Sequence, residues 1–158
     1  MHIRRYWLFK SEPTAYSFDD LMGESDRTAE WDGVRNYQAR NFLRDDVSVG
    51  DGVFFYHSNT KLPSIVGTAV VVRSGYPDHT AWDPDSDHPD PRSTKENPIW
   101  HMVDIKGKDW LLRPVTLSEI KMNSRLSGIS LFSRPRISIH PIDEMEWEII
   151  FKMSMDVR

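Results

Sequence analysis

The sequence predicts an α+β fold, a small curved sheet or barrel with helices packed on its rim. Three observations predict it. An apolar strand opens the chain, short capped helical segments follow, and at least four strands then come in near succession before the chain returns to helix. This order lacks the regular strand–helix alternation of a doubly wound parallel sheet. The length of 158 residues suits one domain spanning 1–158, and no internal repeat divides it.

Each element has its own local reason. Tyr6–Lys10 (YWLFK) is an aromatic-rich apolar run that reads as a buried strand. Ser17 with Asp20 three residues on is a capping box that opens a short helix through Leu21 and Met22. Asn36–Arg44 spaces Tyr37, Phe42 and Leu43 around Ala39 as a one-sided helix. Val49–Gly52 is a tight turn into a second buried strand, Val53–His57. Ile65–Arg73 is rich in β-branched residues, and Gly67 within it marks a bulge or a close backbone approach. Ile99–Lys106 alternates as a strand. Gly107-Lys108 is expected to turn it towards Trp110–Val115, with Pro114 at an edge. Thr116 with Glu119 caps a helix that stops near Asn123, and Arg136–His140 is a brief strand. Asp143 with Glu146 caps the last helix, whose packing face is read as Met145, Trp147, Ile149, Ile150 and Met153.

Composition narrows the chemistry. With no cysteine there is no disulfide framework, thiolate metal site or cysteine nucleophile. No stretch approaches about 18 uninterrupted apolar residues, and the apolar run behind Arg4 and Arg5 is too short for a signal-peptide core, so a soluble, cytoplasmic protein with no membrane partner is expected, nuclear if the source is eukaryotic. The net charge of −4 belongs entirely to Tyr76–Pro98, which holds six acidic and two basic residues and half of the ten prolines. This segment, about 76–98, reads as a solvated surface loop between strands. Asp83, Asp85 and Asp87 alternate within it, but the glycine turn and distal glutamate of a calcium loop are lacking. Two tracts carry the opposite sign without any acid: Gly33–Arg44, with Arg35, Arg40 and Arg44, and Ile120–Ile142, with Lys121, Arg125, Arg134 and Arg136. Such tracts suit a phosphate backbone.

Catalytic signatures are missing. There is no phosphate-binding glycine loop, no nucleophile elbow, and no histidine pair at metal-ligand spacing, so no cofactor or metal is expected. Ser11, Glu12 and His57 could form a hydrolytic set, but nothing sets a nucleophile beside an oxyanion hole. What stands out is polar punctuation at strand ends. Lys10-Ser11-Glu12 follows the first strand, His57-Ser58-Asn59 follows the second, and between them lies Trp31-Asp32-Gly33-Val34-Arg35-Asn36. Hydroxyl, amide and imidazole groups at one mouth beside an indole suit a planar heterocycle, stacked on one face and read at its edge. The alternative is that Trp31 is core and His57 a histidine with its nitrogens satisfied internally.

At these same residues the sequence resembles the EVE domain family. The matching stretches are YWLFKSEP (Tyr6–Pro13), YSFDDL (Tyr16–Leu21), WDGVRNYQARNFLR (Trp31–Arg44), VGDGVFFYHSN (Val49–Asn59), IVGTAVVV (Ile65–Val72), YPDHTAWDP (Tyr76–Pro84), IWHMVDI (Ile99–Ile105) and SIHPIDEMEWEII (Ser138–Ile150). The resemblance implies a PUA-like fold, a compact mixed β-barrel flanked by helices and related to the YTH readers of methylated adenine. It implies a non-enzymatic reader of a modified base in nucleic acid, a modified cytosine in DNA or a modified RNA base, flipped out or single-stranded. Carried onto this chain, the pocket is framed by Lys10, Ser11, Glu12, Trp31, Val34, Arg35, Asn36, His57 and Ser58. Trp31 would stack on the base, Ser11, Asn36 and Ser58 would read its edge, and Arg35 or the tract around Arg134 would hold phosphate. Trp100 or Tyr56 would form a second wall. The two or three aromatic walls of the YTH cage reduce here to Trp31, so the expected pocket is more open. Two rival readings remain at this point: a small enzyme on modified nucleosides or RNA, similar to the ASCH group, with Lys10 and Glu12 as acid–base pair, and a protein-interaction module docking through the acidic loop.

Overall fold

The computed structural model describes residues 3–156. Six strands form one mixed sheet: β1 (Tyr6–Ser11), β2 (Thr28–Glu30), β3 (Gly52–His57), β4 (Ser64–Pro77), β5 (His101–Thr116) and β6 (Ile139–Ile142), in the spatial order β2-β5-β4-β3-β1-β6. β1 runs parallel to β3 and every other pair is antiparallel. The sheet does not close. β2 and β6 are its two edges, so the expected barrel is a strongly bent open sheet. The bend comes from repeated register shifts in the long β4–β5 pair and one between β3 and β4.

Period-two alternation divides the core. Trp7, Phe9, Val53 and Phe55 face one side of the sheet, where α1 (Phe18–Met22), β2 and α2 (Tyr37–Asn41) cover them. Leu8, Phe54 and Tyr56 face the other, covered by α3 (Leu117–Met122), α4 (Ser130–Ser133) and α5 (Glu144–Met155). The three capping boxes form as read, with Ser17, Thr116 and Asp143 each accepting from the backbone three residues on. Trp147 of α5 stacks on Phe54 at 3.7 Å between ring centroids. Met145, read as part of the same packing face, is instead 54% exposed. The expected helix from Asn36 splits: α2 ends at Asn41, and a wide π-helical turn, Phe42–Asp46, closes with Val47 N–H on the Phe42 carbonyl.

Two glycines show what local sequence conveys and what it hides. Gly67 sits at a register shift, and a Cβ there would lie 2.3 Å from the Phe18 ring, so only glycine lets α1 close on the sheet. Gly107, read as part of a turn, lies inside β5, paired with Ala69 and packed beneath Met22. The strand runs on through it because β4 pairs with β5 on both sides, at Lys106 and at Asp109. Pro114 lies where β5 has no second neighbour, since β2 pairs only with residues 104–106.

The acidic segment is mostly exposed and yet locally ordered by its own hydrogen bonds. Its carboxylates cap their own turns: Asp78 accepts from Thr80 N–H, Asp83 from Asp85 N–H and Asp90 from Arg92 N–H. Of the alternating aspartates only Asp83 is used in this way. Asp90 also accepts from the Trp100 indole at 2.8 Å, and Asp78 and Ser93 are fully buried. Among the described residues no helix is long and apolar enough to cross a membrane.

Candidate functional site

A cavity of about 670 Å³ opens at the sheet end where β1 finishes and β6 begins. Trp31 is its floor. The indole follows β2 immediately, its N–H of the backbone held by the Val103 carbonyl at 2.8 Å, and the ring lies among Phe9 and Phe55, both at 5.4 Å, with Tyr16 edge-on at 6.3 Å. Only 7% of Trp31 is exposed. The indole is therefore both core and cavity lining, and the two readings of it coincide in one residue.

The loop after Trp31 is held in shape from a distance. Gly33 takes φ +81°, in the left-handed region, and a Cβ there would meet the His88 imidazole at 3.1 Å. Gly33 N–H and Arg35 Nη1 both donate to Asp78 Oδ2, at 2.9 and 3.0 Å, while Thr80 Oγ1 and N–H satisfy Oδ1. Burial opposes ionisation of Asp78, but the hydrogen bonds from Thr80, Gly33 and Arg35 outweigh it and hold the carboxyl below its usual range. Arg35 also grips the His88 carbonyl through Nε and Nη2. Residues 78–90 thereby become a wall of the cavity, contributing Asp87 and His88.

Of the residues expected to frame the pocket, Lys10, Ser11, Trp31, Val34 and Arg35 line it together. Ser11 Oγ donates to the Tyr16 carbonyl, leaving its lone pairs for a ligand donor. Lys10 Nζ donates to the Pro135 carbonyl at 2.8 Å, and burial lowers its pKa. Arg35 lines the cavity, but its guanidinium is committed to Asp78 and His88, so it is a strut for the loop and is not free for phosphate.

The others fall outside. Asn36 caps α2 by accepting from Ala39 N–H. Tyr56 belongs to the opposite face of the sheet, because alternation puts it with Leu8 and Phe54. His57 Nε2 accepts from Phe18 N–H at 3.0 Å, an internal bond of a neutral imidazole whose pKa burial lowers. Ser58 N–H closes on the Ser11 carbonyl, and Glu12 turns outward to Asn59. Trp100 is buried against Tyr37 at 4.9 Å and forms no second wall. Arg134 is exposed on the rim rather than in the cavity: Pro135, the next residue, is the one that Lys10 bonds. In the tract Gly33–Arg44, Arg40 donates to the Ile99 carbonyl and Arg44 pairs at the surface with its neighbour Asp45.

Sequence reasoning missed the carboxylates and Tyr16. Glu24, Glu30, Asp32 and Asp87 all line the cavity. Asp32 lies 3.4 Å from His88 Nε2 and burial pushes its carboxyl up, which His88 partly offsets. Burial first, and then the Glu24 charge, push the Tyr16 phenol up as well. The chemistry is thus acceptor-rich: carboxylates and a serine oxygen around an indole floor, matched to a flat ring that presents N–H donors at its edge. Among the described residues no group of three or more histidines or carboxylates is arranged to hold a metal.

The bent mixed sheet with helices on both faces is a PUA-like fold; a YTH domain structure at TM-score 0.56 and 14% identity shares it. Within that class the chain belongs to the EVE domain family, whose model matches residues 5–153. It is 42% identical over 165 residues to thymocyte nuclear protein 1 of Gallus gallus, covering 94% of this chain and 68% of that one. The human structure of thymocyte nuclear protein 1 in complex with 5-methylcytosine-containing DNA superposes at TM-score 0.93 with 37% identity, covering 98% and 99% of the two chains. A hypothetical protein from Leishmania major is similar at TM-score 0.92 and 46% identity, covering 97% and 96%.

Proposed function

We propose that this chain binds, without catalysis, a modified base carried on nucleic acid, and that the base is a 5-substituted cytosine in DNA. The carrying observation is the cavity itself: a flat indole floor under acceptor groups, in a fold that matches along its whole length a human relative solved with 5-methylcytosine-containing DNA. The exocyclic amine of cytosine donates to the cavity carboxylates, the ring stacks on Trp31, and the 5-substituent adds apolar contact where a plain base has none. Base and phosphate separate by charge, the one inside and the other on the rim at Lys10, Arg134 and Arg136. A nuclear or cytoplasmic location, where such nucleic acid is met, fits this role.

The enzymatic reading has less support. Glu12 faces Asn59 outside the cavity, so it does not join Lys10 as an acid–base pair there. The acidic segment is better explained as a cavity wall than as a docking surface, since its carboxylates cap its own turns. The test is a binding series on oligonucleotides that differ in one base, with salt titrated. Preference for the modified base that survives rising salt supports the proposal. A steep salt dependence with equal affinity for all bases overturns it.

A further inference from the structure

A base swung out of a duplex leaves a gap, and proteins that open a base step commonly fill it with an apolar side chain such as leucine. The cavity mouth lies where three strand termini meet: β1 ends at Ser11, its parallel partner β3 ends at His57 and antiparallel β6 begins at Ile139. The loop leaving β3 therefore emerges beside the cavity. Its start is pinned to the mouth, because Ser58 N–H donates to the Ser11 carbonyl at 3.0 Å and the Asn59 amide reaches Glu12 at 3.3 Å. Asn59 takes φ +50°, turning the chain sharply. The far end is fixed as well, the Pro63 carbonyl accepting from Leu117 N–H at 2.8 Å.

Between these anchors stand Lys61 and Leu62, and Leu62 is 67% exposed with no packing to justify it. Other exposed apolar side chains sit elsewhere. Ile3 and Val49 precede β1 and β3, at the opposite end of the sheet, Tyr37 lies on α2, Val72, Trp110 and Leu112 lie within β4 and β5, separated from β1 by β3, and Met122, Met145, Phe151 and Met155 belong to helices on the face away from Trp31. Arg134 and Arg136 are exposed and flank Pro135, whose carbonyl bonds Lys10 of the cavity lining, so Leu62 has Lys61 beside it and two further cations stand next to a lining residue.

We propose that Leu62 is a wedge that enters duplex DNA at the step vacated by the base held over Trp31, with Lys61 on the adjoining phosphate. The inference rests on the base-binding reading above and adds how the duplex is opened. Its test compares Leu62→Ala and Leu62→Phe with the unaltered protein on a duplex holding one 5-methylcytosine and on the same strand alone. Because Leu62 is exposed on a loop, the melting temperature should be unchanged. Leu62→Ala should weaken duplex binding about tenfold or more and leave single-strand binding as it was, since only the duplex has a gap to fill. Leu62→Phe should retain most of the duplex affinity. Equal loss on both substrates, or no loss on the duplex, overturns the wedge. If the unaltered protein does not distinguish 5-methylcytosine from cytosine on either substrate, the underlying base reading fails instead.

Discussion

Replacing Trp31 perturbs two things at once, and the structure separates their sizes. With only 7% of the indole exposed and Phe9 and Phe55 against it, Trp31→Ala opens a core cavity. Such truncations cost about 3–5 kcal/mol. For a domain of this length that lowers the melting temperature by roughly 6–20 °C. The loss of the stacking surface weakens base binding by a further 1–3 kcal/mol or so, roughly 5- to 150-fold. Trp31→Phe keeps most of the packing and part of the stacking area, so its melting temperature should fall far less than that of Trp31→Ala while its preference for the modified base still narrows. The assay is calorimetric melting paired with fluorescence anisotropy on modified and plain oligonucleotides, run near 15 °C and well below the melting temperature measured for each variant, so that only folded protein is compared. A folded Trp31→Ala protein that discriminates the modified base as well as the original does would refute the reasoning, because the indole would then be core alone.

Other outcomes follow from individual contacts. His140 is fully buried, accepting from Ser130 Oγ at Nδ1 and donating from Nε2 to the Ile137 carbonyl, and burial lowers its pKa to about 4. The unfolded chain therefore takes up a proton that the folded one refuses: the contribution is intact above pH 6.5 and fades as pH falls towards 4, by about 3 kcal/mol. Urea unfolding at pH 7 and pH 4.5 measures this, and His140→Asn should flatten the difference. Asp78→Asn leaves Arg35 without its buried anion and frees the loop that carries His88, at a cost of about 3 kcal/mol; melting temperature and modified-base affinity should fall together. Gly67→Ala drives a methyl into the Phe18 ring and should destabilise by about 1–3 kcal/mol or more, with partial recovery when Phe18→Leu is added, read by thermal melting.

Much of the sheet was legible because its strands are marked by local chemistry. Aromatic and β-branched runs mark β1, β3 and β4, and the three capping boxes mark helix starts that depend on a four-residue span. Gly107 misled because a glycine-lysine pair is the composition of a turn, and the forces that keep it extended, Ala69 pairing and Met22 packing, come from distant residues. For the site, alternation already carried the signal that Tyr56 shares a face with Phe54 and not with Phe55, although its place in an aromatic run drew it towards the cavity. No local pattern joins Asp78 and His88 to Gly33 and Arg35, which lie more than forty residues away in the chain. Nor does spacing reveal that Arg35 is consumed by them. The indole floor was legible, and the acidic interior was not, since Glu24, Glu30, Asp32 and Asp87 come from three separate segments.

The most direct measurement places a ¹³C-methyl label on the 5-methylcytosine of a short oligonucleotide and follows it by NMR as the protein binds. Seated on the Trp31 indole, the methyl resonance should shift upfield through the ring current and show cross-relaxation to the indole protons; in Trp31→Phe the indole cross-relaxation is lost and the upfield shift is reduced. A methyl resonance unmoved at saturation, with the only perturbed protein signals on the rim at Lys10, Arg134 and Arg136, would contradict the central claim that the base enters this cavity.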